Sequence, residues 1–286
     1  MASAWTQKIE GVPERTVDND FQKELAQEID MPDSNENKLT VVKVDRENHD
    51  TTSLYFTGPD VEKFKNRSAG QFASIRIFQD GAWSAPHPFT LSCSPEEDTL
   101  RMTIKKSGQF TTLVPQIEPG TPIQCVGPFG LFCRDIDSKN EIVMIAGGVG
   151  ITPFLSVLRH FFQIKAPNAV TLFWANKTPD DAFAAKELEE FTCVLPLKVV
   201  HVFSRVTAEQ SAPTPVFTDT RPGTVLYEFG RLDQALLRKH LPLRDAAFYL
   251  CGPSSMQQAI LVELAKCGVN ADQVEKEAFV SSKPAP

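Results

Sequence analysis

The sequence has no closely spaced cysteines. Its six cysteines include no C-x-x-C pair and stand at positions 93, 125, 133, 193, 251 and 267. Iron–sulfur clusters and structural zinc sites need cysteines in tight groups, so we predict no metal site. The chain also has no secretory signal pattern, and acidic residues near its N-terminus are not typical of an organelle transit peptide. We therefore predict a cytoplasmic protein with free thiols.

Long apolar runs and an excess of basic residues are also missing. The apolar stretch at residues 142–158 is shorter than the ~20 residues that a membrane-spanning helix needs, and glycines and Pro153 interrupt it. Lysine and arginine together number 29, against 36 for aspartate and glutamate, which gives a net charge of −7. A basic surface for nucleic acid is not expected from this balance. We predict no membrane span and no nucleic-acid partner.

The distribution of polar, β-type and helix-type segments along the chain predicts a tail and two domains. Residues 1–37 are polar and interrupted by turn-forming residues, which predicts a polar tail. Residues 38–136 contain short β-type segments at 39–45, 51–57, 72–78, 87–93, 99–106 and 122–127, with one helix at 110–116. Closely spaced short strands of this kind are typical of a small antiparallel sandwich or barrel, and we predict an antiparallel β-barrel.

Strands and helices alternate in the second predicted domain, residues 137–286. The pattern gives strands at 142–146, 170–175, 197–203 and 247–250, and helices at 153–165, 181–191, 232–240 and 254–267. Such alternation predicts a parallel sheet covered on both faces, as in a Rossmann-like α/β domain. The stretch at 204–223 is rich in Pro, Ser and Thr and predicts a long loop.

A glycine-rich turn joins the first strand of this domain to its first helix. The sequence there reads EIVMIAGGVGITPFLS at residues 141–156. A strand that turns through glycines into a helix directs backbone N–H groups and the positive end of the helix dipole at one point, which suits a pyrophosphate. The residues of this candidate site are Gly147, Gly148, Gly150, Thr152 and Pro153. The alternative is a turn that needs its glycines for packing alone.

Four motifs, in this order, resemble the ferredoxin–NADP reductase superfamily. They read HPFTLSCSP at residues 87–95, SGQFTT at 107–112, GGVGITPFLS at 147–156 and CGPSSM at 251–256. The chain is similar in particular to the reductase domains of NADPH oxidases, ferric reductases and flavohaemoglobins, from about residue 39 to about residue 280. The resemblance implies an FAD-binding β-barrel followed by an NAD(P)-binding α/β domain.

The first motif cradles the flavin in this family. The resemblance implies that the Phe89 ring stacks on the isoalloxazine and that the Thr90 hydroxyl hydrogen-bonds near its N5 atom. Ordinary strand residues are the alternative for both positions. Three further residues complete the core of the motif: Pro88, Leu91 and Ser92.

The second motif holds the flavin pyrophosphate in the family, which implies FAD and assigns the contact to Gly108 and Thr111. Many members have arginine where this chain has His87, a residue that is largely neutral at pH 7 because its reference pKa is about 6.5. Lys105 is a candidate to supply the missing charge, although a lysine at a strand end is also typical of a solvated edge.

The same resemblance implies which residues lie at the nicotinamide. Cys251 is implied to lie against the nicotinamide where hydride passes, with a buried structural cysteine as the alternative. Gly252, Pro253 and Met256 complete this motif. Phe279 resembles the terminal aromatic that covers the flavin until nicotinamide displaces it, and the alternative is simple packing at the sheet edge.

Two pairs of residues bear on the choice of nucleotide. Ser204 and Arg205 end a predicted strand, and in NADPH-using relatives a Ser-Arg pair at this place reads the 2′-phosphate. Lys177 is a candidate to assist them. Asp180 and Asp181 lie close to Lys177 in sequence, and carboxylates in this region favour the ribose hydroxyl of NADH. We predict FAD and NAD(P)H as cofactors, with NADPH preferred.

Together these features predict a flavin-dependent NAD(P)H reductase with Thr90, Cys251 and Phe279 at its catalytic centre. It would pass hydride from NAD(P)H to FAD and electrons on to an acceptor that no motif identifies. An iron–sulfur protein, a haem protein, a ferric chelate or a quinone would fit. The alternative is a non-catalytic subunit that senses NAD(P)H, or only transfers electrons, within a larger redox complex.

Overall fold

The computed structural model describes residues 39–79, 81–206, 222–242 and 245–278. Three sequence predictions fall outside these ranges. They are the polar tail at 1–37, most of the loop predicted at 204–223, and Phe279.

The first domain is an antiparallel sheet. Its strands are β1 (Leu39–Arg46), β2 (Thr51–Thr57), β3 (Phe72–Gln79), β4 (Ala82–Trp83), β5 (His87–Thr90), β6 (Leu100–Lys105) and β7 (Pro122–Phe129). They pair in the order β4-β3-β7-β1-β2-β6, with β5 added beside β3. A short helix, α1 (Gln109–Leu113), follows β6 and continues as a 3-10 turn at Val114–Gln116. Every predicted strand is present, and β4 is an addition.

This sheet is barrel-like, but its strand ladders do not close into a ring among the described residues. Its two ends meet at Ser92, just beyond β5, where the Ser92 N–H donates to the carbonyl of Arg101 in β6 at 2.8 Å. Leu100 and Met102 are fully buried while Arg101 between them is partly exposed, as the alternating pattern predicts.

The second domain is a parallel sheet, as predicted, and it has six strands where the sequence predicted four. Its strands are β8 (Glu141–Gly147), β9 (Ala169–Asn176), β10 (Leu197–Phe203), β11 (Thr224–Phe229), β12 (Ala247–Gly252) and β13 (Val274–Ala278). Its helices are α2 (Thr152–Ile164), α3 (Ala185–Thr192), α4 (Gln234–His240) and α5 (Ser254–Lys266). Both faces are covered, because successive residues of β8, Val143 and Met144, pack into different apolar clusters.

The strand order β11-β10-β9-β8-β12-β13 contains a reversal. From β8 the chain adds strands on one side, and from β12 it adds them on the other. The carboxyl ends of β8 and β12 therefore form a topological switch point, where ligands bind in open α/β sheets.

Three elements of the second domain differ from the sequence prediction. Strands β11 and β13 are additions, and Glu277 lies inside β13 opposite Cys251. The helix predicted at 181–191 begins later, at Ala185. Its expected first turn is a 3-10 turn at Pro179–Asp181 instead, because Asp181 Oδ2 accepts hydrogen bonds from the N–H and the hydroxyl of Thr178, both at 2.9 Å.

No helix in the described ranges is long and apolar enough to cross a membrane. The same part of the chain contains no group of three or more His, Cys, Asp or Glu side chains arranged to hold a metal ion.

Candidate functional site

The third and fourth motifs meet at the switch point. Cys251 pairs with Ala146 across the β8–β12 ladder, so both chains leave the sheet side by side. A Cβ on Gly150 would lie 2.4 Å from the Cys251 carbonyl oxygen, and a Cβ on Gly147 would lie 2.3 Å from Met256 Sδ. The two turns therefore pack together through glycine backbone and form one surface.

The glycine turn runs directly into α2. Thr152 is its first residue, and Pro153 stands in the first turn, where its missing N–H costs no hydrogen bond. The Thr152 hydroxyl donates to the Val149 carbonyl at 3.1 Å, which ties the helix start to the turn. The positive end of the α2 dipole therefore lies at the switch point, as a bound phosphate requires.

Cys251 lies under this surface and is fully buried. Burial raises the pKa of its thiol well above the usual value, and the nearby Glu277 carboxylate adds to the shift. The thiol is therefore neutral at physiological pH and offers shape and polarisability, not a thiolate. Gly252, which has φ +156°, approaches Gly147 so closely that a Cβ would lie 3.1 Å from its Cα.

Three aromatic rings stack into one surface beside β5. His87 stacks on Phe110 with ring centroids 3.9 Å apart and an interplanar angle of 25°. Phe89 is nearly parallel to Phe110, at 6.0 Å and 18°. Burial lowers the pKa of His87, so its imidazole is neutral and offers no charge to a phosphate. Such a surface suits a planar heterocycle. Phe110 was not singled out by the sequence.

The second motif presents converging backbone donors. The N–H groups of Ser107 and Gly108 both donate to Thr111 Oγ1, at 2.8 and 2.9 Å. The Thr111 hydroxyl oxygen thus occupies the position in which a phosphate oxygen would accept these two hydrogen bonds. A Cβ on Gly108 would have no atom within 4 Å, so the approach is open. These features fit an FAD pyrophosphate.

The other residues of the flavin motifs have structural contacts of their own. Lys105 Nζ lies 2.8 Å from Asp50 Oδ2, so its charge is directed at that carboxylate. Leu91 is buried in the core, and Ser92 Oγ lies 3.0 Å from Thr103 Oγ1. Thr90 is nearly buried, whereas Pro88 is exposed. Leu91 and Ser92 therefore support the motif from within the sheet.

Ser204 and Arg205 continue β10 beyond its end. The Ser204 N–H donates to the Asn176 carbonyl at 3.0 Å, and the Arg205 N–H donates to the Lys177 carbonyl at 2.9 Å. Lys177 and Arg205 are therefore exposed neighbours, and neither forms an ion pair within the described ranges. The Asp181 carboxylate is turned toward Thr178 and also lies 3.7 Å from His49 Nε2.

Three supporting residues were not predicted as site residues from the sequence. The Trp174 indole donates to the Gly148 carbonyl at 2.9 Å from a fully buried position. Ser156 and Arg159 on α2 reach across to the first domain. Their spacing of three on one helix face is the only signal that could have identified them.

Sequence comparisons agree with this arrangement. Residues 35–118 match a family described as "FAD-binding domain", and residues 144–261 match "Oxidoreductase NAD-binding domain". The chain belongs to the ferredoxin–NADP reductase superfamily. An FAD-binding domain followed by a nucleotide-binding one makes it an FAD-dependent NAD(P)H oxidoreductase.

The curated relatives include flavohemoproteins. That of Bacillus subtilis is 26% identical over 84% of this chain and 58% of its own length. That of Bordetella pertussis is 28% identical over 84% of this chain and 59% of its own length. The chain thus spans somewhat over half the length of these relatives.

Solved structures share the fold. The FAD/NAD-binding domain of a nitric oxide dioxygenase from Vibrio cholerae has a TM-score of 0.67 and 21% identity, over 85% of this chain and 98% of that one. A ferredoxin NADP+ reductase from Neisseria gonorrhoeae with bound FAD and NADP has a TM-score of 0.65 and 17% identity, over 84% of this chain and 97% of that one.

Proposed function

We propose that this reductase takes hydride from NADPH in preference to NADH, and passes electrons from FAD to a haem protein. The observation that carries the hydride step is the packing of the Gly147–Gly150 turn against Cys251 at the switch point, with the α2 N-terminus aimed there. When bound, FAD accepts hydride from the nucleotide and releases electrons singly or in pairs. The protein contributes binding, orientation and exclusion of water.

On the flavin side, the stacked rings of His87, Phe89 and Phe110 provide an aromatic face. Thr90 at the end of β5 offers a hydroxyl that can donate or accept near the N5 position. The Ser107 and Gly108 N–H groups, with Thr111, would hold the pyrophosphate.

On the nucleotide side, the Gly147–Pro153 turn would hold the pyrophosphate, and Gly252, Pro253 and Met256 would shape the nicotinamide cleft. The neutral Cys251 thiol would lie beneath this cleft and would not compete as a nucleophile. Phe279, two residues beyond Glu277, would gate the flavin face, a role proposed from sequence alone.

The preference for NADPH rests on charge. Lys177 and Arg205 lie together at the end of β9 and β10, and an exposed pair of cations suits the 2′-phosphate. Asp181, the carboxylate that would oppose this phosphate, is directed at Thr178. The acceptor is proposed as a haem protein because relatives that match this chain carry the name flavohemoprotein. A cytoplasmic location stays a prediction.

The decisive experiment begins with the purified protein. A reductase should contain about one FAD per chain, and its visible absorbance should bleach on anaerobic addition of NADPH faster than with NADH. Addition of an oxidised haem protein should then restore the colour and reduce the haem. Ferric chelate, a quinone and an iron–sulfur protein are the comparison acceptors. A colourless protein that still binds NADPH would overturn the proposal in favour of the non-catalytic sensing subunit.

A further inference from the structure

Helix α2 connects the two halves of the proposed site. It begins at the nucleotide turn, and one of its faces contacts Ser92 and Cys93 in the second half of the flavin motif. The Ser156 hydroxyl donates to the Cys93 carbonyl at 2.7 Å and accepts a hydrogen bond from the Gly70 N–H at 3.1 Å. One turn further along, the Arg159 guanidinium donates through Nη1 to the Ser92 carbonyl.

Arg159 is itself held in place. Its Nε and Nη2 atoms bind the two carboxylate oxygens of Glu187 on α3, each at 2.7 Å. Such a two-point contact fixes the plane of the guanidinium, so its remaining nitrogen can point only in one direction. Burial opposes the charge on Arg159, but the Glu187 carboxylate outweighs it and raises the pKa of the guanidinium. Arg159 therefore always carries its full set of donors.

We propose that Ser156 and Arg159 are positioning residues that clamp the flavin-binding segment to the helix carrying the nucleotide turn, with Glu187 orienting the arginine. This inference rests on the proposed function and deepens it. The path between the two cofactor contacts is short. Arg159 lies seven residues after Thr152, about 10 Å along a rigid helix, and Ser92 lies two residues after Thr90.

Such a clamp matters because hydride transfer depends on distance. An error of about 1 Å between reacting centres can cost roughly 10²-fold in rate even when both ligands remain bound. Most of the first domain's core forms a cluster of its own, although Ala69 and Phe132 pack into the core of the second domain. The clamp therefore sets the position of the flavin-binding domain relative to the nucleotide-binding domain.

The competing view is that Arg159 only forms a buried ion pair within the second domain. Replacing a buried ion pair by apolar residues of similar size is often neutral for stability, whereas removing one partner is not. The double variant Arg159→Met/Glu187→Met therefore removes the donor to Ser92 without leaving an unpaired carboxylate. Arg159→Lys and Ser156→Ala are independent single variants, and Arg238→Met on the exposed face of α4 is the control.

The test compares the FAD content and melting temperature of the variants with those of the parent. It also compares the dissociation constant for NADP+, the charge-transfer absorbance on NADP+ binding, and the rate of flavin reduction at saturating NADPH. It also follows hydrogen exchange at residues 90–95. The double variant should keep FAD, the dissociation constant within about twofold and the melting temperature within a few degrees. It should lose most of the charge-transfer absorbance, exchange faster at 90–95 and reduce its flavin about 10- to 100-fold more slowly.

Two outcomes would count against different claims. If the double variant folds and matches the Arg238→Met control in absorbance, exchange and reduction rate, Arg159 is only an ion-pair partner and the clamp is wrong. If the parent protein itself contains no FAD and shows no reduction by NADPH, the proposed function fails, whatever the variants do. Should the double variant not fold, the same comparison made with Ser156→Ala decides the question.

Discussion

The indole Nε1 of Trp174 donates a hydrogen bond to the carbonyl oxygen of Gly148 at 2.9 Å. Gly148 has φ +53°, in the left-handed region that glycine adopts without strain. Holding this carbonyl also fixes the N–H of Val149 on the same peptide unit. Trp174 is fully buried and packs edge-on against Phe183. A rigid residue beneath the sheet edge thus sets the backbone of the proposed phosphate turn.

Trp174→Phe should weaken nucleotide binding without loss of FAD. The change removes the N–H donor and keeps most of the apolar volume. A single hydrogen bond contributes about 0.5–1.5 kcal/mol, so the dissociation constant for NADP+ should rise about 2- to 10-fold. Calorimetric titration measures it, with Trp83→Phe in β4 as the matched control. If Trp174→Phe binds NADP+ as tightly as the parent does, Trp174 does not support the nucleotide-binding turn.

His201 predicts a pH dependence of stability. It is buried between stacked rings, Phe203 at 5.9 Å and Tyr227 at 5.3 Å, and neither of its nitrogens has a partner among the described residues. Burial lowers the pKa of this imidazole from 6.5 to about 4. The unfolded chain therefore binds one more proton than the folded protein between these values, and stability falls as the pH falls through that window.

His201→Leu should remove that dependence. By linkage, this histidine should cost the parent about 2 kcal/mol of unfolding free energy between pH 7.5 and pH 5. Between the two pH values, the unfolding free energy of His201→Leu should fall less than that of the parent, by this same amount, because all other titrating groups are shared. Urea denaturation at the two pH values measures the difference, and exposed His49→Gln serves as the control. Parallel losses in parent and His201→Leu would mean that His201 is not buried as a neutral ring.

The central strands of the parallel sheet could be predicted from the sequence, whereas its two edge strands could not. The strands β8, β9 and β10 are apolar runs because helices cover both their faces, and each was predicted. Strands β11 and β13 end the sheet, and β13 reads VEKEA. Edge strands need fewer apolar residues and often carry charges, so neither has the pattern of a buried strand.

The residues of the candidate site also fall into a group that the sequence predicts and a group that it does not. Glycines, the aromatic motif and the Cys251 turn were predictable because each is local in sequence. The contact between Ser92 and Arg159 was not, since it joins residues 67 positions apart and exists only once both domains are docked. Lys105 also had the residue type expected of a phosphate ligand, but its partner Asp50 comes from the β1–β2 turn, which no local pattern indicates.

Gly150→Ala should damage the second domain. The new Cβ would lie 2.4 Å from the Cys251 carbonyl oxygen and 2.8 Å from the Gly252 Cα, both backbone atoms that cannot move independently. Overpacking of this kind costs about 1–3 kcal/mol, so the melting temperature should fall and nucleotide binding should be lost. Gly108→Ala, which meets no atom within 4 Å, is the control and should melt as the parent does. Equal melting temperatures for the two variants would show that the two turns are not packed as described.

Arg205→Ala tests the choice of nucleotide. A charge-assisted contact to phosphate contributes about 1.5–3 kcal/mol, and because Arg205 is exposed to solvent the lower end applies. The KM for NADPH should therefore rise about tenfold, and the KM for NADH should barely change, since NADH has no 2′-phosphate. Raising the salt concentration should narrow the difference between parent and variant for NADPH, because ions screen an exposed charge pair. Lys177→Ala should act in the same direction, and Arg46→Ala in the first domain should change neither constant. Equal losses for both nucleotides would place Arg205 away from the 2′-phosphate, and the neighbouring carboxylates Asp180 and Asp181 would then favour NADH.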